Sequence, residues 1–106
     1  MEDIAIQYFK FWNSQDLGGL RSLFKEDVSL KDWEIEVAGI DKVIRANANI
    51  FSDLPEVRAE ILQLGTGEGV VFVQLNIWLT ENENISVVDV LFIEDDKIKR
   101  IHAYKC

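Results

Sequence analysis

The sequence predicts an α+β fold, a cone-shaped roll in which three N-terminal helices pack on one strongly curved, mostly antiparallel sheet. Three observations predict it. Apolar residues recur at three- and four-residue spacing as far as Phe51 and then change to the two-residue alternation of strands. Glycine-rich and polar turn clusters divide the second half into runs long enough to form hairpins. The chain has 106 residues, 48% of them hydrophobic, which is enough for one core and too few for two. Residues 1–106 are therefore read as one domain.

Taken in order, Ile4, Ala5, Tyr8, Phe9, Phe11 and Trp12 give a first helix a broad apolar face, and that helix should end near Asn13. Asp16 is placed to cap a short second helix with Leu17, Leu20, Leu23 and Phe24 as its buried stripe. Gly18 and Gly19 weaken this helix by roughly 0.5 to 1 kcal/mol each relative to alanine, but let it pack closely on the first. "VSLKDW" reads as a short strand with Val28, Leu30 and Asp32 on one face, and "EIEVAG" as another short strand or a rim loop before Gly39. Helical spacing returns with Ile40, Val43, Ile44, Asn47, Ala48 and Phe51, and Pro55 stops it. The rest is sheet. "EVRAEILQL" and "GVVFVQLNIWLT" flank "GTGEG", and "NISVVDVLFIE" and "KIKRIHAYK" flank "DD", giving two successive hairpins.

Composition narrows the function. Lys plus Arg number 11 against 19 Asp plus Glu, a net charge of -8, and no segment gathers base into a patch. A phosphate-backbone binder needs such a patch to displace counterions, so nucleic acid is not an expected partner. No run approaches the length of a membrane span. The single cysteine, Cys106, and the absence of a leader pattern in "MEDIAIQYFK" favour a reducing, cytoplasmic setting. "GTGEG" lacks the lysine and following helix of a phosphate loop. With His102 as the only histidine, and no acid pair at helix spacing beside it, neither a metal site nor a cofactor is expected. No serine has the partners of a nucleophilic triad.

Three polar residues interrupt apolar rows. Asp89 shares a strand face with Ile85, Val87, Leu91 and Ile93; Asp32 is in phase with Val28 and Leu30; Tyr8 lies in the middle of the first helix face. A carboxyl in apolar surroundings must find strong donors or keep its proton. Structural roles are open for each: Tyr8 bonding a backbone carbonyl, Asp89 fastening a loop or helix end, Asp32 facing water at the rim. Trp12, Trp33 and Trp78 are similarly core, or the walls of a pocket.

The opening "IAIQYFKFWNSQDLGGLRSLFKEDVSLKDW" resembles the start of the nuclear transport factor 2-like superfamily, which includes ketosteroid isomerases and SnoaL-like polyketide cyclases. The features that carry the likeness are Asn13, Asp16, Leu23, Phe24, Glu26 and Asp27, and "VVDVLFIEDDKIKRIHAY" extends it through the C-terminal half. The resemblance implies the cystatin-like roll. It places the isomerase tyrosine on Tyr8, the proton-abstracting aspartate on Asp32 and the oxyanion-holding aspartate on Asp89. That chemistry is a worked case of paired carboxyls with separated pKa values. Where the isomerases usually have a proline, Trp33 follows Asp32, and the chain is shorter than they are, leaving little material for a lid. Trp12, Trp33, Phe51, Trp78, Arg100, His102 and Tyr104 are the residues expected to line the pocket; for His102 a surface position on an edge strand is the alternative.

The functional expectation is a small-molecule enzyme of isomerase or cyclase type, acting on an apolar carbonyl compound by aspartate-mediated proton transfer. The alternative is a non-catalytic, dimeric ligand-binding or accessory domain of the same fold. A homodimer through the convex sheet face is expected in either case, because helices cover only one side of the sheet.

Overall fold

The computed structural model describes all 106 residues. Three helices, α1 (Glu2–Asn13), α2 (Leu17–Leu23) and α3 (Ile40–Asp53), accompany six strands: β1 (Phe24–Lys31), β2 (Glu36–Ala38), β3 (Arg58–Gly67), β4 (Val70–Thr80), β5 (Glu83–Glu94) and β6 (Lys97–Lys105). The strands form one sheet in the order β2-β1-β6-β5-β4-β3. All neighbours are antiparallel except β1 and β6, which run parallel. The third element from the N-terminus thus closes against the last strand of the chain. "EIEVAG" supplies the short strand β2, and Gly39, at φ 96°, turns the chain from it into α3.

The helices bury their apolar stripes against one face of this sheet, with Tyr8, Phe9, Trp12, Leu20, Val43 and Phe51 meeting Val28, Val71, Val73, Leu75 and Leu91. Phe24 begins β1 rather than ending α2, because the chain turns extended at that residue while its ring stays in the core.

The junction between α1 and α2 sets the angle at which α1 enters the core. Gln15 adopts φ 55°, its N–H donates to the Trp12 carbonyl, and the Asp16 N–H reaches back to the Phe11 carbonyl. That is a Schellman ending, here built without glycine; the Gln15 amide also donates to the Pro55 carbonyl at 3.0 Å. Asp16 then caps α2 by accepting from the Gly19 N–H at 2.9 Å. A Cβ on Gly19 would lie 2.6 Å from the Phe11 ring, so that glycine permits the contact between the two helices.

Candidate functional site

The concave side of the sheet encloses a cavity of about 330 Å³, walled by side chains from α1, α3, all the long strands and the β1–β2 turn. Most of the wall is aliphatic or aromatic, and the polar groups that reach it are few: Tyr8, Asp32, Glu34, Asn47, Asp89 and Lys105. Tyr8, Asp32 and Asp89, which the sequence placed on separate elements, therefore meet in one cavity.

Asp89 projects from β5 between Val73 of β4 and Ala103 of β6, its cross-strand partners. It is 7% exposed, and Tyr8 is 4% exposed. Neither the Tyr8 hydroxyl nor the Asp89 carboxyl hydrogen-bonds to another protein group, yet no fully enclosed side-chain polar atom lacks a partner. The small residual exposure of both groups is thus exposure to the cavity, where a ligand atom can reach them. Burial, reinforced by the negative charge of Asp32, pushes the Asp89 carboxyl up to about 7. Burial, with a contribution from Asp89, also raises the Tyr8 phenol, which keeps its proton throughout the working range of proteins.

Asp32 lies just beyond the end of β1, in the turn before β2. Its Oδ1 accepts from the backbone N–H groups of Glu34 at 2.7 Å and Ile35 at 2.6 Å, while its own N–H donates to the Ile35 carbonyl at 2.8 Å. This aspartate turn fixes the carboxylate and leaves Oδ2 without a protein partner. Glu26 and Asp27, also on this stretch of chain, are exposed.

Of the expected pocket residues, Trp12 and Trp33 line the cavity. Trp33 is 41% exposed and stands at the mouth, with the Lys105 ammonium 5.9 Å above its ring. Five others do not line it. Phe51 is buried behind Trp12, packed edge-on against it at 5.3 Å, and so supports the wall without reaching the space. Trp78 lies on the outer face of β4, donating to Glu60 at 3.1 Å beneath the Arg58 guanidinium. Arg100, His102 and Tyr104 also face outward: Arg100 covers Phe92, His102 meets the same ring edge-on at 5.5 Å, and Tyr104 is 57% exposed. The reason is a bulge. The β5–β6 pairing steps from Ile93–Ile98 to Phe92–Arg100, leaving Lys99 unpaired, so Ile98 faces the core but the inward phase resumes at Ile101, Ala103 and Lys105.

Asn47 was not among the expected site residues, although it sat in phase with the apolar stripe of α3. Tyr8 interrupts the apolar face of α1 in the same way. Asn47 is 3% exposed and lines the cavity. The wall acids do not form a metal centre, since nowhere does the chain gather three His, Cys, Asp or Glu side chains in a set able to hold an ion.

This architecture matches known proteins along nearly its full length. The family model described as the SnoaL-like domain matches residues 5–101. The chain belongs to the SnoaL-like domain family. No curated protein matches it in sequence. Among solved structures, a candidate polyketide cyclase from Sinorhizobium meliloti superposes with a TM-score of 0.88 at 19% identity, covering 95% of this chain and 93% of that one. A candidate ketosteroid isomerase from Kribbella flavida gives 0.85 at 20% identity over 98% and 76% of the two chains. An uncharacterised cystatin-fold protein from Novosphingobium aromaticivorans gives 0.86 at 22% identity over 95% and 94%. At these identities the likeness establishes the α+β roll. No helix is long and apolar enough to cross a membrane.

Proposed function

We propose that this SnoaL-like protein is an enzyme that moves a proton on a carbon next to the carbonyl of a small apolar compound. The observation that carries the reading is the pair of buried, unpartnered groups, Tyr8 and Asp89, opening on the same cavity as the Asp32 carboxylate. Asp32 Oδ2 takes the α-proton, and the electron pair moves through the new C=C bond onto the carbonyl oxygen. The Tyr8 hydroxyl and the protonated Asp89 donate hydrogen bonds to that oxygen, where they are worth most because the cavity wall is apolar. Asp32 then returns the proton to the same carbon or to another, which gives exchange or isomerisation. The turn that holds Oδ1 aims Oδ2 without a search of rotamers, lowering the ordering cost of the step.

The test is deuterium exchange at the α-carbon of a panel of enolisable ketones. Asp32→Asn keeps the turn, because the amide oxygen still accepts both N–H groups, and should lower exchange on the order of 100-fold to 10,000-fold while leaving ligand affinity in place. Exchange untouched by the substitution would remove Asp32 from the reaction. Binding without exchange in the wild type would instead favour a ligand carrier. Because Asp89 must hold its proton to donate, exchange should decline as pH rises through about 7. We also propose that two copies associate through the outer face of the sheet.

A further inference from the structure

We propose that the substrate is a compact, uncharged carbonyl compound carrying a second oxygen, and that Asn47 recognises that second oxygen; this rests on the proton-transfer reading of the same cavity. Asn47 is as deeply buried as Tyr8 and Asp89, at 3% exposed. The Asn47 Oδ1 accepts from the Trp12 indole N–H at 3.0 Å, and its Nδ2 donates to the Val43 carbonyl at 2.9 Å, one turn back along α3. An indole N–H can only donate, so the orientation of the amide is fixed. A carboxamide has two N–H donors and two lone pairs, and the protein uses one of each. One donor and one lone pair therefore remain on a residue that forms part of the cavity wall. The two bonds tie α3 to α1, and the remaining N–H is the donor proposed for an oxygen in the cavity.

Size and charge follow from the same wall. A cavity of about 330 Å³ lies at the small end of the roughly 300–1,000 Å³ that ligand sites span, which favours a compact ligand. Outside the Tyr8–Asp89 pair, Asp32 and Asn47, the charged wall residues Glu34 and Lys105 are exposed, at the mouth. An anionic group carried into the aliphatic interior would meet Asp32 and no cation, and a cationic group would pair with Asp32 and occupy the base, so the proton-transfer reading calls for an uncharged ligand. A bicyclic enone with one further carbonyl or hydroxyl group fits both limits.

The experiment compares two probes by calorimetric titration: a methyl-substituted hexahydronaphthalenedione, a bicyclic enedione, and the same bicyclic enone without the second carbonyl. Wild type should bind the enedione more tightly by on the order of tenfold, the worth of one hydrogen bond in a dry site. Asn47→Leu should bring that ratio close to one, whatever it does to the affinity for both probes together. If the leucine variant does not fold, Asn47→Ser serves, because its hydroxyl turns back to the Val43 carbonyl and offers the ligand no amide donor. Equal affinities in the wild type, or a ratio that survives the substitution, would overturn the assignment of Asn47. Tight binding of a four-ring enone would overturn the size limit. Deuterium exchange on the mono-ketone is measured alongside: its absence counts against Asp32 as a base, whereas the affinity ratio tests Asn47 separately.

Discussion

At the scale of single residues, the buried carboxyl of Asp89 links the site to stability. In the folded chain Asp89 holds its proton up to about 7, against 3.8 for an unperturbed aspartate. Between those values the native state binds more protons than the unfolded state, so stability must fall as pH rises through that window, by at most about 1.4 kcal/mol per pH unit. Below it the contribution is fully present, and above it the cost of the buried charge is fully felt. Asp89→Asn removes the ionisation and should be flatter in urea unfolding between about pH 4 and pH 7, and more stable than wild type at the upper end. An unchanged slope would mean that Asp89 is not the titrating group. Asp32→Asn tests the second cause: without the Asp32 charge, the fall in stability should move to lower pH. Alanine at position 89 is the contrasting variant, since it removes the hydrogen-bonding group as well as the charge.

At the scale of elements, Asn13 does more than end a helix. Its Nδ2 donates to the Ala59 carbonyl at 2.9 Å and its Oδ1 accepts from the Ala59 N–H at 2.7 Å. β3 is an edge strand, and the side-chain amide occupies the backbone groups a further strand would have used. The same two bonds fix the C-terminal end of α1 and hence the depth of Tyr8 and Trp12. Asn13→Ala should cost about 1 to 3 kcal/mol in urea unfolding, and Asn13→Asp, which keeps only the acceptor, should fall between. Gly19→Ala should also destabilise, by about 1 to 3 kcal/mol, because the added methyl meets the Phe11 ring. Much of this was legible in the sequence. Helix periods, the Asp16 cap, both hairpins and the inward phase of Asp89 follow from local spacing, and Tyr8 and Asp32 stood out as polar breaks in apolar rows. What the spacing did not carry was the bulge at Lys99, because strict alternation along "KIKRIHAYK" assumes an unbroken register. One unpaired residue turned Arg100, His102 and Tyr104 to the outer face. Parallel pairing of β1 with β6 joins segments far apart in the chain, and no local pattern marks it.

At the scale of the whole molecule, the outer sheet face is the surface whose chemistry differs from the rest. Phe72, 46% exposed, pairs with Val90, which pairs with His102, and the adjacent row carries Gln74, Val88 and Tyr104. Charge on this face is close to balanced, with Lys31, Arg58 and Arg100 against Glu36 and Glu60, although the chain as a whole carries -8. Two copies can therefore approach through it without the repulsion that their net charge imposes elsewhere, and amide groups such as Gln74 suit an interface of mixed polarity. Sedimentation of the wild type at micromolar concentration should show a species of twice 12.2 kDa. Phe72→Asp places a charge in the middle of the apolar row and should shift that species to the monomer. Because the cavity opens on the opposite side of the sheet, the monomeric variant should retain its affinity for the bicyclic enone. A wild type that sediments only as the 12.2 kDa chain would end the proposal, and loss of ligand binding together with dimerisation would show that association also shapes the cavity.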